Sequence, residues 1–138
     1  MSLFSIFNTT SSAMNAQTVR LNTIASNLAN ADVVANTPEE AYKSKQVVFS
    51  EVLNEQQFGQ VAASGVRVSG IGVSYRENSA VYQPGHPLAN DKGYVFQSNV
   101  DTIEEMANML SASRSYQSSV DVLNTSKKLM QQTIRLGQ

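Results

Sequence analysis

Two long stretches of this chain contain neither glycine nor proline, and they lie at its two ends. Residues 1–37 and 94–136 lack both residue types, whereas all three prolines and six of the seven glycines lie between residues 38 and 93. Because glycine and proline are the strongest interruptions of regular structure, this distribution predicts two long terminal helices. The middle of the chain is expected to be irregular or built of short strands.

The C-terminal stretch has the hydrophobic spacing of a long helix. Its apolar residues recur at alternating intervals of three and four, which is the heptad pattern of a helix-packing seam. The pattern comprises Met106, Met109, Tyr116, Val120, Leu123, Met130 and Ile134, with Ser113 and Lys127 in the two remaining positions. About 35 residues at roughly 1.5 Å each make a rod about 50 Å long, too long for an ordinary globule of this size to cover.

The ends of this helix carry matching signals. Asp101 followed by Glu104 resembles a capping box in which Asp replaces Ser or Thr. Acidic residues in the first turn and Arg135 in the last turn suit the helix dipole, and Gly137 offers a C-terminal stop. These signals place the helix within residues 101–138.

The N-terminal stretch shows the same seven-residue period with fewer apolar residues. Phe7, Met14, Leu21 and Leu28 recur at that interval, and Ile24 and Ala31 occupy two intervening positions. Only two of the first 37 residues are charged, yet 17 are Ser, Thr, Asn or Gln. A polar face without charge costs less to bury against another protein if its amides and hydroxyls find partners. Two interpretations follow: a face reserved for assembly, or a weakly helical or disordered tail in the isolated monomer.

Short strands and turns are predicted for the centre of the chain. The alternation of apolar and polar residues slips by one position at Gly70–Gly72, where a β-bulge or bend is expected. Residues 81–82 and 94–96 are further strand candidates, separated by a turn signal at residues 90–93. The apolar residues between 47 and 53 fit either a short helix or an extended segment.

Composition argues against several classes of function. The net charge of −1 leaves no excess of Lys and Arg for binding nucleic acid. No apolar run is longer than three residues, so direct membrane insertion is not expected, and the first residues lack the regions of a cleavable signal peptide. The chain has no Cys and one histidine, His86, which suits a turn or an interface. We therefore predict no catalytic, metal-binding or cofactor-binding residues.

Two helices of this kind are marginally stable as an isolated pair. The apolar seam is small relative to the backbone entropy lost in ordering two long helices. The pair therefore needs neighbours, most simply copies of the same chain or close relatives. We expect the chain to be poorly folded alone and ordered in an assembly.

Three stretches together resemble the axial proteins of the bacterial flagellum. Residues 25–32 (ASNLANAD) are similar to the N-terminal signature Ser-Asn-Leu/Ile-Ala-Asn-Ala of that family. Residues 105–127, with EMANM, RSYQ and LNT, resemble the C-terminal pattern shared by rod and hook proteins. Residues 82–101, with YQPGHPLAN, GYV and NVD, resemble the proximal rod proteins more narrowly, as does YKSK at residues 42–45. The stretches occur in the expected order, and the resemblance covers nearly the whole chain.

The resemblance implies a structural subunit of the basal-body rod, the shaft that crosses the periplasm and transmits torque to the hook. It implies export through the flagellar type III apparatus without signal cleavage, and terminal helices stacked around a central channel. The implied partners are other rod proteins and copies of the chain, the adaptor between rod and membrane ring, and the membrane ring. The alternative is a helical adaptor or secretion chaperone that binds a client protein; an enzyme has no constellation of residues in its favour.

We therefore predict a mainly α-helical fold. An N-terminal helical segment (residues 1–37) and a long C-terminal helix (residues 101–138) form an antiparallel coiled-coil-like pair and one core domain. The central loop and β-rich segment (residues 38–100) contains a small hairpin. The predicted subunit interface consists of Met14, Leu21, Ile24, Asn27, Leu28, Asn30, Met106, Met109, Tyr116, Val120, Leu123 and Met130. Asn27 and Asn30 are expected to bridge subunits or to cap the helix through their amides.

Overall fold

Two long helices flank two antiparallel sheets in the computed structural model, which describes residues 3–52 and 65–136. The elements are α1 (Leu3–Ala29), β1 (Val34–Ala35), β2 (Lys45–Val52), β3 (Gly65–Val73), β4 (Ala80–Tyr82), β5 (Tyr94–Gln97) and α2 (Thr102–Leu136). The helix stop predicted at Gly137 lies outside the described residues.

Side chains satisfy backbone groups at the facing ends of the two helices. At the start of α2, Oδ1 of Asp101 accepts hydrogen bonds from the backbone N–H groups of Ile103 and Glu104 at 2.9 and 3.1 Å. At the end of α1, Nδ2 of Asn30 donates to the carbonyl of Ser26 at 2.7 Å. These three bonds use backbone groups that a helix end leaves without a partner.

The smaller strands form a three-stranded sheet in the order β1-β5-β4, with antiparallel pairing throughout. The connection from β4 to β5 is tightened by Asn90, whose Oδ1 accepts from the backbone N–H groups of Lys92 and Tyr94 at 3.0 and 2.9 Å. Gly93 has a φ of +79° and closes this turn. A Cβ there would lie 2.9 Å from Cε2 of Tyr82, so both backbone angle and space require glycine.

The second sheet is a long two-stranded ribbon made of β2 and β3. Eight residue pairs join the strands, from Lys45 opposite Val73 to Val52 opposite Gly65. The pairing shifts between Val48 and Phe49, which leaves Ser69 as an extra residue in β3. The bulge predicted from the alternation is thereby confirmed, beside Gly70.

The prediction of a mainly α-helical coiled-coil pair with a small central hairpin is wrong. About half of the structure is helix and about a fifth is strand, and the strands form two sheets. Local periodicity did not reveal the two sheets. Residues 45–52 fit helix and strand alike, and the strand with which they pair, Gly65–Val73, lies too far along the chain for a local pattern to include both. Helix α1 is also no member of a simple two-helix pair, since it packs against β2 and β3 as well as α2.

The two helices run antiparallel and bury little apolar volume. Arg20 of α1 contacts Asn108 of α2, whereas the later Asn27 contacts the earlier Glu105. The buried apolar residues of the described chain are Ala16, Ile24, Ala41, Val95 and Ala112. Three of these are alanines, so close backbone approach rather than large side chains joins the elements.

Candidate subunit interface and the junction beside it

The side-chain amide of Asn27 joins three parts of the fold. Its Nδ2 donates to the backbone carbonyl of Lys45 at 2.8 Å and to Oε1 of Glu105 at 3.2 Å. Its Oδ1 accepts from the backbone N–H of Lys45 at 2.9 Å and from the Tyr42 hydroxyl at 3.0 Å. These four bonds use the full capacity of an amide, so Asn27, which is completely buried, is satisfied within its own chain.

Glu105 is the buried carboxyl group of this junction. One oxygen, Oε1, accepts from Asn27, whereas Oε2 is buried and has no hydrogen-bond partner. Burial raises the pKa of Glu105 above its ordinary value of 4.5, and the neighbouring charge of Glu104 adds to this. The bond from Asn27 and the charge of Arg20 act in the opposite direction without cancelling the rise.

Two further asparagines connect the three-stranded sheet to the segment before β2. Asn99 accepts from the backbone N–H of Ser44 at 2.6 Å and donates to the carbonyl of Arg76 at 2.7 Å. Asn78 donates to the carbonyls of Tyr42 and Gln97 at 3.0 and 2.8 Å. The junction therefore consists of amides that satisfy backbone groups of irregular segments.

Burial along α2 follows a heptad that differs in part from the predicted seam. The less exposed positions that recur at intervals of four and three are Glu105, Met109, Ala112, Tyr116, Ser119, Leu123, Ser126 and Met130. Half of this set coincides with the predicted seam: Met109, Tyr116, Leu123 and Met130. The other half lies one residue earlier than predicted, at positions occupied by Glu, Ala and Ser. Small side chains allow close helix approach, which the apolar pattern does not register.

The structure distributes the twelve predicted interface residues over different environments. Ile24 and Asn27 are buried within the chain, and Met106 is exposed. The half-buried residues are Met14, Leu21, Leu28, Asn30, Met109, Tyr116, Val120, Leu123 and Met130. Asn30 forms the helix-end bond expected as one of its two roles, whereas the amide of Asn27 is occupied within the chain.

One side of α2 carries exposed apolar residues that the described chain does not cover. Ile103, Met106 and Leu110 are 80%, 62% and 56% exposed and lie at intervals of three and four. This spacing places them in one line along the helix; we call these three residues the outer stripe. Further along α2, Ile134 is exposed to a similar degree.

A cleft of about 370 Å³ opens between α1, the ribbon and the start of α2. Its lining comprises Arg20, Thr23, Ile24, Lys45, Gln46, Val47, Phe49, Glu104, Glu105 and Asn108. Arg20 spans it, donating from Nη2 to Oδ1 of Asn108 at 3.3 Å. Acidic and basic side chains both line this cleft. One of them is Glu105, whose Oε2 has no hydrogen-bond partner.

Other polar groups have local structural roles. Nδ1 of His86 accepts from the backbone N–H of Leu88 at 3.1 Å, which is the turn role expected for it. Within residues 3–52 and 65–136, acidic and histidine side chains form no group of three that could hold a metal ion. Neither helix in the described part of the chain has the length and apolar character needed to cross a bilayer.

The amide junction was not found by sequence reasoning beyond Asn27. The partners of Asn27 are separated from it by 15, 18 and 78 residues, and most are backbone groups. Asn99 and Tyr42 lie within stretches that carry the family resemblance, but nothing in their spacing indicates a hydrogen-bonding role. Asn78 has no sequence signal of this kind.

Two family models match the ends of the chain. The model described as flagella basal body rod protein matches residues 7–36. The model described as flagellar basal body rod FlgEFG protein C-terminal matches residues 91–136. The two matches contain most of α1 and all of α2.

Several curated proteins with the same name are similar to this chain over its full length. The flagellar basal-body rod protein FlgC of Escherichia coli O6:H1 is 49% identical over 138 residues, covering 100% of both chains. The protein of that name from Salmonella typhimurium is 48% identical over the same length, again with 100% coverage. The Bacillus subtilis protein is 36% identical over 149 aligned residues, covering 99% of each chain.

Proposed function

This chain belongs to the FlgC family of flagellar basal-body rod proteins, and from that membership we propose that its terminal helices form the contacts through which the rod polymerises. The chain is a structural subunit of the rod and assembles with other rod proteins and with copies of itself. The rod is part of the flagellar basal body.

The observation that carries the proposal is the outer stripe of α2. Three large apolar side chains in one line on a helix are expected to be covered by another element. Within the described chain, α1 is the helix or strand that packs against α2, and it leaves these three side chains exposed, so we expect the cover to come from a neighbouring subunit. Burial of these side chains at an interface is the main driving force for such association.

The half-buried residues of the predicted interface support the same role. Residues such as Met14 and Leu21 on α1, and Leu123 on α2, retain accessible area although they contact their own chain. We assign this remaining area to contacts with neighbouring helices. Ile24 and Asn27 act behind that surface, because both are buried in the chain itself.

The position of the subunit in the machine extends the proposal. We assign the chain to a shaft that spans the periplasm and transmits torque, reached by export through the flagellar type III apparatus without signal cleavage. The adaptor between rod and membrane ring, and the ring itself, are the further partners. The membership in a rod protein family and the two long helices support this assignment.

The test replaces the outer stripe while leaving the inner side of α2 unchanged. We expect the double variant Met106→Asp/Leu110→Asp to abolish swimming and to yield basal bodies without a complete rod, because two buried charges would oppose the contact. The matched control is Ser115→Asp, at an exposed position on the opposite side of α2 from Met106 and Leu110. Normal swimming of the double variant at normal protein levels contradicts the proposal.

A further inference from the structure

Two separate apolar surfaces of the described chain remain partly or largely exposed. We propose that they fit each other between two copies, so that the outer stripe of one copy packs on the ribbon of the next. This inference rests on the proposed function, since it names the partner of a helix surface already assigned to polymerisation.

The first surface is one face of the ribbon. Alternate residues of a strand point to the same side, so Val47 and Phe49 of β2 share a face. The strand register places Val66, Val68, Ile71 and Val73 of β3 on the same face. We call these six residues the ribbon face. Four of them, Phe49, Val66, Ile71 and Val73, are between 38% and 53% exposed although the ribbon packs on α1.

The second surface is the outer stripe, which lies on the far side of α2. Successive residues of a helix are about 100° apart, so Asn108 lies about half a turn around the helix from Met106 and Leu110. Asn108 lines the cleft beside the ribbon and accepts a hydrogen bond from Arg20 of α1. The outer stripe therefore points away from the ribbon of its own chain.

The character of the two surfaces matches. All six residues of the ribbon face are apolar, and the charged residues of this face, Lys45 and Glu51, lie at its two ends opposite Val73 and Val66. The outer stripe continues toward the uncharged Ser113 and Gln117, with Arg114 at its edge. An interface core depleted of charge and built from aliphatic and aromatic side chains is typical of stable assemblies.

The geometry favours a second copy as occupant, because one chain supplies both halves of the contact. Joining two different surfaces of identical chains is a heterologous contact, which continues from copy to copy as an open helix or closes as a ring. If the outer stripe paired with itself, the contact would be complete in a dimer and would not extend. A rod subunit that assembles with itself requires the first kind of contact.

Cysteine cross-linking tests this contact without interference, since the natural chain contains no cysteine. We expect the double variant Ile71→Cys/Met106→Cys, oxidised in isolated basal bodies, to form disulfide-linked dimers and higher multimers of this chain. Each single variant is expected to form none. Co-assembly of the two single variants is expected to stop at dimers. A disulfide requires Cα atoms about 4.4–6.8 Å apart, so the control Ile71→Cys/Gln132→Cys is expected to remain monomeric.

The remaining outcomes overturn the inference. Dimers from a single variant show a self-paired contact, and disulfides only to other rod proteins show a different neighbour. If rods of the double variant assemble under reducing conditions but do not cross-link on oxidation, and the pair Val73→Cys/Ile103→Cys also fails, the two surfaces do not meet. That result leaves the proposed function standing, because swimming of Met106→Asp/Leu110→Asp tests it separately.

Discussion

A single amide, that of Asn27, holds the end of α1, the start of β2 and the start of α2 in one arrangement. Its four hydrogen bonds are formed in a completely buried site, where a group left without a partner carries its full desolvation cost. The family signature at residues 25–32 contains this residue. Its role in the structure is to orient the ribbon relative to the helices.

We expect Asn27→Ala to lower the free energy of unfolding of the polymerised chain by roughly 2–4 kcal/mol, because it leaves the buried Glu105 and Lys45 groups without partners. The measurement is thermal melting followed by circular dichroism. The matched control is Asn30→Ala, which removes one bond to a helix-end carbonyl and is expected to cost about 1 kcal/mol or less. Equal losses in the free energy of unfolding for the two variants would show that the amide of Asn27 contributes no more than a single helix-end hydrogen bond.

The carboxyl group of Glu105 gives the fold a dependence on pH. Burial raises its pKa above 4.5, so the folded chain binds this proton more tightly than the unfolded chain. The stabilising contribution of the proton is complete below pH 4.5 and is lost as pH rises through the elevated pKa. We expect Glu105→Gln to flatten this part of the profile and to be at least as stable as the parent at neutral pH.

The measurement is the melting temperature of the polymerised chain as a function of pH. Glu77→Gln serves as the control, because Glu77 is exposed and is not among the groups that shift the pKa of Glu105. Its profile is expected to keep the slope of the parent. If Glu105→Gln also keeps that slope, burial of Glu105 does not govern the pH dependence.

At the scale of elements, α2 shows which part of a helix interface an apolar pattern can predict. The large residues Met109, Tyr116, Leu123 and Met130 have the spacing expected of them and are half-buried. The positions between them are small or polar, and the pattern assigned Met106 and Ser113 instead of Glu105 and Ala112. Hydrophobicity ranks Met106 above Glu105, whereas the fold buries Glu105 through its hydrogen bond from Asn27. The heptad spacing selected Ser113, although the small Ala112 is the residue that is closely packed.

A pair of substitutions distinguishes the observed packing from the predicted seam. Ala112 is completely buried, so Ala112→Leu is expected to destabilise the fold by about 1–3 kcal/mol through overpacking. The adjacent Ser113 is exposed, and Ser113→Leu is expected to change stability by about 0.5 kcal/mol or less. Thermal melting of the helical signal compares the two variants. A larger loss of stability for Ser113→Leu than for Ala112→Leu would favour the predicted seam over the observed packing.

The central elements were less accessible to sequence reasoning than the helices. The turn at residues 90–93 and the bulge beside Gly70 have local chemical causes and were predicted correctly. The length of the ribbon depends on pairing between Lys45–Val52 and Gly65–Val73, which no local window contains. The same holds for the hydrogen bonds of Asn78 and Asn99, whose partners lie in other segments.

At the scale of the whole molecule, the chain exposes more surface than a compact monomer of its mass. Its accessible surface is 9957 Å², and its mass is 15.0 kDa. A compact monomer of this mass exposes roughly 7,000 Å². This surplus and the alanine-rich interior support the proposal that much of the apolar surface forms contacts between subunits. The outer stripe and the ribbon face are the parts of it identified above.

The isolated chain is therefore expected to be only partly ordered. At micromolar concentration, circular dichroism should show lower helicity than the lengths of α1 and α2 give, because few large side chains are buried within one copy. Helicity should rise on polymerisation, when neighbours cover the exposed apolar residues.

Limited proteolysis should cut both terminal segments in the dilute chain and spare them in the polymer. The reference is Met106→Asp/Leu110→Asp, which should match the parent when dilute but gain no helicity on concentration. A cooperative melt of the dilute parent, with both helices protected from protease, would show that one copy is sufficient for folding.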